Sequence, residues 1–183
     1  METKTGSKTR SKTQAMTFIA LCTAMTCILA PLSISIPISP VPISLTIFAI
    51  LISAYVLGLK NCIFSFLLYA LIGFIGVPVF SKFTGGPGVL LGPTGGYIIG
   101  FIFVAFFAGL FIEKFENARY MHAIGMIIGV AVCYVFGTAW LAQQAGMGFR
   151  QALYAGVIPF IPADAVKIAA AIAIGPRLRR ISS

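Results

Sequence analysis

Charge is the scarcest commodity in this chain. Only 9% of its 183 residues are Asp, Glu, Lys or Arg, and just four of those are acids, whereas a soluble domain carries roughly 25% charged residues. So few charges cannot coat a water-facing surface. Histidine is equally rare, with His122 the single copy. The four cysteines, Cys22, Cys27, Cys62 and Cys133, lie in or at the edge of apolar runs and form no CxxC pair. They read as small buried apolar residues rather than a disulfide framework or a metal site. The glycine-rich stretch TGGPGVLLGPTGGYIIG (84–100) contains no lysine or acid. A phosphate-binding loop needs GK[ST] running into a helix, so a nucleotide site is excluded there. An enzyme site is poorly supplied too, because one His at a helix edge and one intramembrane acid do not make a nucleophile with its base or a ligand set.

What the chain has is apolar residues: 59% of the total, with a mean hydropathy of +1.02. One membrane crossing needs roughly 20 apolar residues, so six crossings and short loops use the whole length. The expected fold class is an all-α membrane protein, six transmembrane helices in one compact bundle. The spans fall at about 15–30, 45–59, 61–79, 94–112, 121–142 and 153–176, the last broken near Pro159 and Pro162. Residues 1–14, METKTGSKTRSKTQ, are polar and basic and read as a disordered cytoplasmic tail, leaving 15–183 as the single domain. A basic leader before an apolar run also suits a signal peptide, but no small-x-small cleavage site follows and more spans do. Residues 31–44, PLSISIPISPVPIS, carry four prolines and cannot continue a helix; an extended loop packed on the outer surface is expected.

The net charge of +9 would suggest nucleic acid in a soluble protein. Here the bases sit at the ends of apolar runs, as membrane topology signals do, and no nucleic-acid partner is expected. With the N-terminus inside, ten bases fall on inner segments: Lys4, Lys8, Arg10, Lys12, Lys60, Lys114, Arg119, Arg177, Arg179 and Arg180. Only Lys82 and Arg150 fall outside, and Lys167 lies within the membrane. That asymmetry follows the positive-inside rule and puts both termini in the cytoplasm. It also gathers the proline loop, the glycine-rich loop and the approach to IPADAVK on the outer side.

Asp164 and Lys167 interrupt the apolar run GVIPFIPADAVKIAAAIAI (156–174). A charge deep in a membrane helix costs roughly 2.5–3.5 kcal/mol on insertion scales. Three residues apart, the two side chains share one helix face. Pro162 suits a helix start, which places Asp164 in the first turn, where the positive helix end favours an anion. One reading is a self-neutralising pair that tolerates burial. The other is the polar floor of an apolar pocket for a small ligand. Among the glycines, Gly92, Gly96 and Gly100, and separately Gly125 and Gly129, have the GxxxG spacing of closely packed helices. Gly85, Gly86 and Gly88 precede the span and suit a backbone that approaches a ligand or flexes. Ala20 and Ala24 form a small-xxx-small face on the first helix, packed either inside the protein or against a partner.

GGPGVLLGPTGGYIIGF, followed by PFIPADAVK, resembles the BioY family, the biotin-specific substrate-binding (S) components of prokaryotic energy-coupling factor transporters. The resemblance covers almost the whole chain. It implies one biotin held near the outer face of a six-helix bundle in the prokaryotic cell membrane. It implies no resident cofactor and no catalysis, and partnership with a transmembrane coupling (T) subunit and two ABC ATPase subunits. It assigns binding to Asp164 and Lys167, and docking on the coupling subunit to Ala20 and Ala24. Asp164 would accept a ureido N–H; Lys167 would donate to the ureido oxygen or, alternatively, meet the tail carboxylate. Tyr97, Phe80 and Phe83 are candidate apolar walls. This chain departs from the family at Ala163, where glycine is usual, which bears on the turn before Asp164. A stand-alone secondary transporter, or an S component for another vitamin, are the competing readings.

Overall fold

The computed structural model describes residues 12–37 and 39–182. The chain is helical almost throughout, as a lipid-embedded backbone must be to satisfy its own N–H and C=O groups. Helix α1 (Lys12–Leu29) leads into a short antiparallel hairpin, β1 (Ser33–Ile34) and β2 (Ile43–Ser44), with Ser33 opposite Ser44. Then come α2 (Thr46–Phe74), a 3₁₀ turn at Ser81–Phe83, the short α3 (Pro87–Leu91), α4 (Gly95–Lys114), α5 (Arg119–Gln144), α6 (Phe149–Gly156) and α7 (Ile161–Ser182). Because α1 begins at Lys12, residues 12–14 belong to a helix and not to the expected tail; residues 1–11 lie outside those described.

Four of these helices (α1, α2, α4 and α5) are long and apolar enough to cross a membrane, and the α6–α7 pair, bent by 43°, makes a fifth candidate span. The α6–α7 break falls at residues 157–160, beside Pro159, as the sequence suggested. Helix α2 is not straight. Gly58 has φ +74° and ψ −175°, values outside the helical region. Thr46 and Tyr69, 23 residues apart, line the same cavity, although a straight helix would separate them by about 35 Å. The chain therefore doubles back at Gly58, and its arms, 46–57 and 59–74, run antiparallel. The turn is pinned by Glu113 of α4, whose carboxylate accepts the Leu59 N–H at 2.7 Å.

The helices pack through small residues. A Cβ on Gly96 would strike Trp140 and the Phe136 carbonyl, and one on Gly100 would strike Cys133, all on α5. These positions meet the close-packing expectation. Gly92 does not: it ends α3 and faces the Gly88 and Val89 carbonyls, so the 92–96 step is a turn and not a helix contact. On α1 the buried residues Ile19, Cys22, Thr23 and Thr26 form one stripe, and Thr23 bonds Ser65 of α2 at 2.9 Å. Ala20 and Ala24 lie on the other face and are exposed.

Apart from Arg150 at the start of α6, the basic residues of the described helix ends collect at one end of the bundle. There Arg179 donates to the Ile112 carbonyl at 2.8 Å and pairs with Glu116 at 2.7 Å. At the opposite end the Lys82 N–H donates to the Pro31 carbonyl and to Ser33, joining the glycine-rich connection to the hairpin loop.

Candidate ligand-binding site

Helix α7 starts immediately after the break, and Asp164 occupies its first turn. Its backbone N–H reaches back to the Phe160 carbonyl at 2.8 Å. The break frees the Gly156 carbonyl from continuing helix, and the Tyr97 hydroxyl of α4 donates to it at 2.9 Å. No Cβ could sit at Gly137 or Gly156 without striking Tyr97, so that phenol is wedged where α4, α5 and α6 converge.

Lys167 Nζ donates to Asp164 Oδ1 at 2.7 Å, and the two residues are 8% and 2% exposed. Tyr134 of α5 donates its hydroxyl to Asp164 Oδ2 at 2.5 Å. The carboxylate is thus held at both oxygens, by a cation on one side and a phenol on the other. An ionised acid retains further lone pairs, since its two oxygens offer about four acceptor positions. Charge-assisted bonds in such a setting are among the stronger ones.

Asp164 and Lys167 border a narrow cavity of about 30 Å³ with Ser44, Tyr97, Phe101 and Phe160. Above it lies a larger cavity of about 240 Å³. The two share Val41, Pro42, Ser44, Tyr97 and Phe101 as walls, which makes them lobes of one site. The outer lobe is roofed by the hairpin loop (Pro40, Pro42), the glycine-rich connection (Thr84, Gly88, Gly92, Thr94) and Phe80. Lys82 also borders it and, among the described residues, is the only cation or acid there. The deep lobe has room for little more than a water, so only the polar edge of a ligand meets the pair while its bulk stays in the outer lobe.

The sequence-derived candidates divide accordingly. Asp164, Lys167, Tyr97 and Phe80 come together around the joined lobes. Phe80 is buried and meets Tyr69 edge-on at 5.6 Å. Phe83 does not line either lobe: Lys82 and Phe83 both take positive φ, 61° and 56°, which turns the Phe83 ring outward, 65% exposed. Gly85 and Gly86 are also outside the lining. Gly85 abuts the Val77 carbonyl, and Gly86, at φ +94°, starts α3 and donates to the Gly73 carbonyl at 2.7 Å. They shape the loop rather than touch the space it encloses. Tyr134, Ser44 and Thr46 escaped the sequence reading. Ser44 closes the proline loop and Thr46 starts α2 just after it, and the apolar character of that loop was the only available signal.

Fold and site together define a multi-pass membrane protein with a ligand cavity floored by a buried ion pair. The chain belongs to the BioY family, whose pattern matches residues 2–183. It is 41% identical over 168 residues to a probable biotin transporter BioY of Pyrococcus horikoshii, covering 92% of this chain and 98% of that one. It is 41% identical over 148 residues to the biotin transporter BioY of Thermotoga maritima, covering 81% and 86%. Among solved structures, the crystal structure of the S-component for biotin from an ECF-type ABC transporter superposes with a TM-score of 0.86. Identity there is 30%, over 94% of this chain and 95% of that one.

Proposed function

We propose that the protein binds biotin from the outer side of a prokaryotic cell membrane and delivers it inward as the S component of an energy-coupling factor transporter. The observation that carries this reading is the two-lobed cavity with Asp164 and Lys167 at its floor. The biotin transporters and the biotin S-component that it resembles support it. Biotin is apolar except at its two ends, a ureido group and a tail carboxylate. In this reading Asp164 accepts a ureido N–H and Lys167 donates to the ureido oxygen. Lys82, at the outer lobe, meets the tail carboxylate. Tyr97 and Phe80 enclose the ring system, and Tyr134 holds the Asp164 carboxylate in place.

Six crossings follow if α1, the two arms of α2, α4, α5 and the α6–α7 pair each count once, with both termini in the cytoplasm and the site at the outer end. The ten-to-two distribution of bases favours that orientation. The chain acts without a cofactor and without catalysis, and its energy comes from a coupling subunit and two ABC ATPase subunits. The exposed Ala20 and Ala24 face on α1 is the docking surface for the coupling subunit, since small residues let two helix backbones approach closely.

The buried acid held between a phenol and an ammonium also suits a proton-coupled secondary transporter. Uptake of radiolabelled biotin by cells expressing the chain with its coupling subunit and ATPases separates the two. The S-component reading predicts that uptake stops when ATP is depleted and continues when the proton gradient alone is collapsed. The opposite pattern would establish the secondary transporter.

A further inference from the structure

We infer that the α5–α7 seam is a binding site for an anionic phospholipid, with the phosphate at the inner end of the bundle and an acyl chain along the seam. Two separate cavities lie on one continuous stripe. The first, about 510 Å³, is bordered by Tyr55, Glu116, Arg119, His122, Arg179 and Arg180. The second, about 390 Å³, is bordered by Ile127, Val130, Ala131 and Tyr134 of α5 and by residues of α7 from Ile161 to Ile172.

The spacing joins them. Positions 119, 127, 130, 131 and 134 of α5 fall within an arc of roughly 120°, and 161, 164, 165, 168, 169, 172, 176 and 179 of α7 share a face in the same way; His122 lies on the buried side of α5, opposite Ala131. Arg119 of α5 and Pro176 and Arg179 of α7, which border the first cavity, therefore lie in line with the walls of the second. From Arg119 to Tyr134 the stripe rises about 22 Å, a length suited to a headgroup with one acyl chain in one leaflet of a hydrocarbon core about 30 Å thick.

The chemistry of the two halves differs as a phospholipid's does. Among the described residues, the inner cavity is bordered by the guanidinium groups of Arg119, Arg179 and Arg180 and by the carboxylate of Glu116, which pairs with Arg179. Helix α5 opens into it at Arg119 with no side-chain cap at Ala118 and no acid in its first turn, and the nearby Glu116 carboxylate is already paired with Arg179. Its floor is polar and fixed: His122 Nδ1 meets the Tyr55 hydroxyl at 3.1 Å and Nε2 meets the Phe115 carbonyl at 2.9 Å. That carbonyl can only accept, so Nε2 carries the proton and Nδ1 accepts from Tyr55. Arginine's planar fork suits phosphate oxygens. Basic pockets between membrane helices on the cytoplasmic side bind anionic headgroups. The second cavity is walled by isoleucine, valine and alanine apart from Tyr134 and Asp164 at its far end. Beside it Ile124, Ile127 and Val166 are exposed on the bundle surface.

The test uses the full chain purified in detergent and examined by native mass spectrometry. The probes are dioleoyl phosphatidylglycerol, dioleoyl phosphatidylcholine and inorganic phosphate. The wild type is expected to retain phosphatidylglycerol roughly tenfold or more over phosphatidylcholine. Each of Arg119→Gln and Arg180→Gln should reduce that retention roughly fivefold, and the double variant should bring the two lipids to near parity while still binding biotin. Ala169→Phe, which fills the apolar half, should weaken phosphatidylglycerol without creating a preference for phosphatidylcholine. Equal retention of both lipids by the wild type would overturn the proposal, and so would a preference that survives in the double variant. Displacement of the lipid by inorganic phosphate, with no effect of Ala169→Phe, would show a free-anion site instead and equally overturn it.

Discussion

Among single residues, the buried Asp164–Lys167 pair decides the account. Leaving either charge unpaired in the interior would cost several kcal/mol. The pair survives because each side chain neutralises the other and Tyr134 takes the second carboxylate oxygen. A pair that served only its own neutrality would have no need of a cavity beside it, and this one has a two-lobed space above. Hydrogen bonds to charged groups contribute about 1.5–3 kcal/mol, and about 1.4 kcal/mol is tenfold in affinity. Asp164→Asn is therefore expected to weaken biotin and its neutral amide alike, by roughly tenfold to a hundredfold. Lys82→Gln should weaken biotin alone and leave the amide unchanged, because only biotin carries the tail charge. Equilibrium binding of both ligands to the two variants checks this; a biotin-specific loss in Asp164→Asn would reverse the assigned orientation of the ligand.

The same scale shows what a sequence can disclose. Asp164 and Lys167 were legible because charge is rare here and costly in lipid. Tyr134 was not, because nothing in a chain with 13% aromatics marks one tyrosine out from the others. Phe83 was misplaced because its direction depends on two consecutive left-handed residues, Lys82 and Phe83. Neither is glycine, and nothing local announces that conformation.

At the scale of elements, hydropathy and proline placed the long helices well and their joints less well. The break before α7 could be anticipated from Pro159 and Pro162. The reversal at Gly58 fell close to the expected boundary between two spans, yet the helical structure continues so tightly around it that only the one residue departs from helical geometry. Helix α3 was not foreseen. Its five residues, Pro87–Leu91, start at a proline with fixed φ and end at Gly92, an arrangement that reads as a loop when glycines dominate the count. The α1 face carries the prediction that belongs here. Ala20→Trp adds bulk to an exposed position, opposite the stripe that contacts α2. It is expected to leave biotin binding by the purified chain unchanged and to abolish co-purification with the coupling subunit. Undiminished co-purification would remove that face from the docking surface.

For the whole molecule, the division of labour between its two ends is the main consequence of the fold. One end carries the proline hairpin, the glycine-rich connection and the broken span, and these irregular segments enclose the cavity. Irregular backbone is tolerated near the membrane where it lines a cavity or is covered by protein. The other end is basic, regular and tied together by Glu113, Glu116 and Arg179. An S component needs this asymmetry, because one end must admit a solute while the other engages cytoplasmic partners. The measurement closest to the central claim is equilibrium binding of radiolabelled biotin to the detergent-purified chain alone, with dethiobiotin and thiamine as competitors. Saturable binding at one site, displaced by dethiobiotin, which keeps the ureido group, and indifferent to thiamine, is the predicted result. No saturable biotin binding, or displacement by thiamine as readily as by dethiobiotin, would contradict the account.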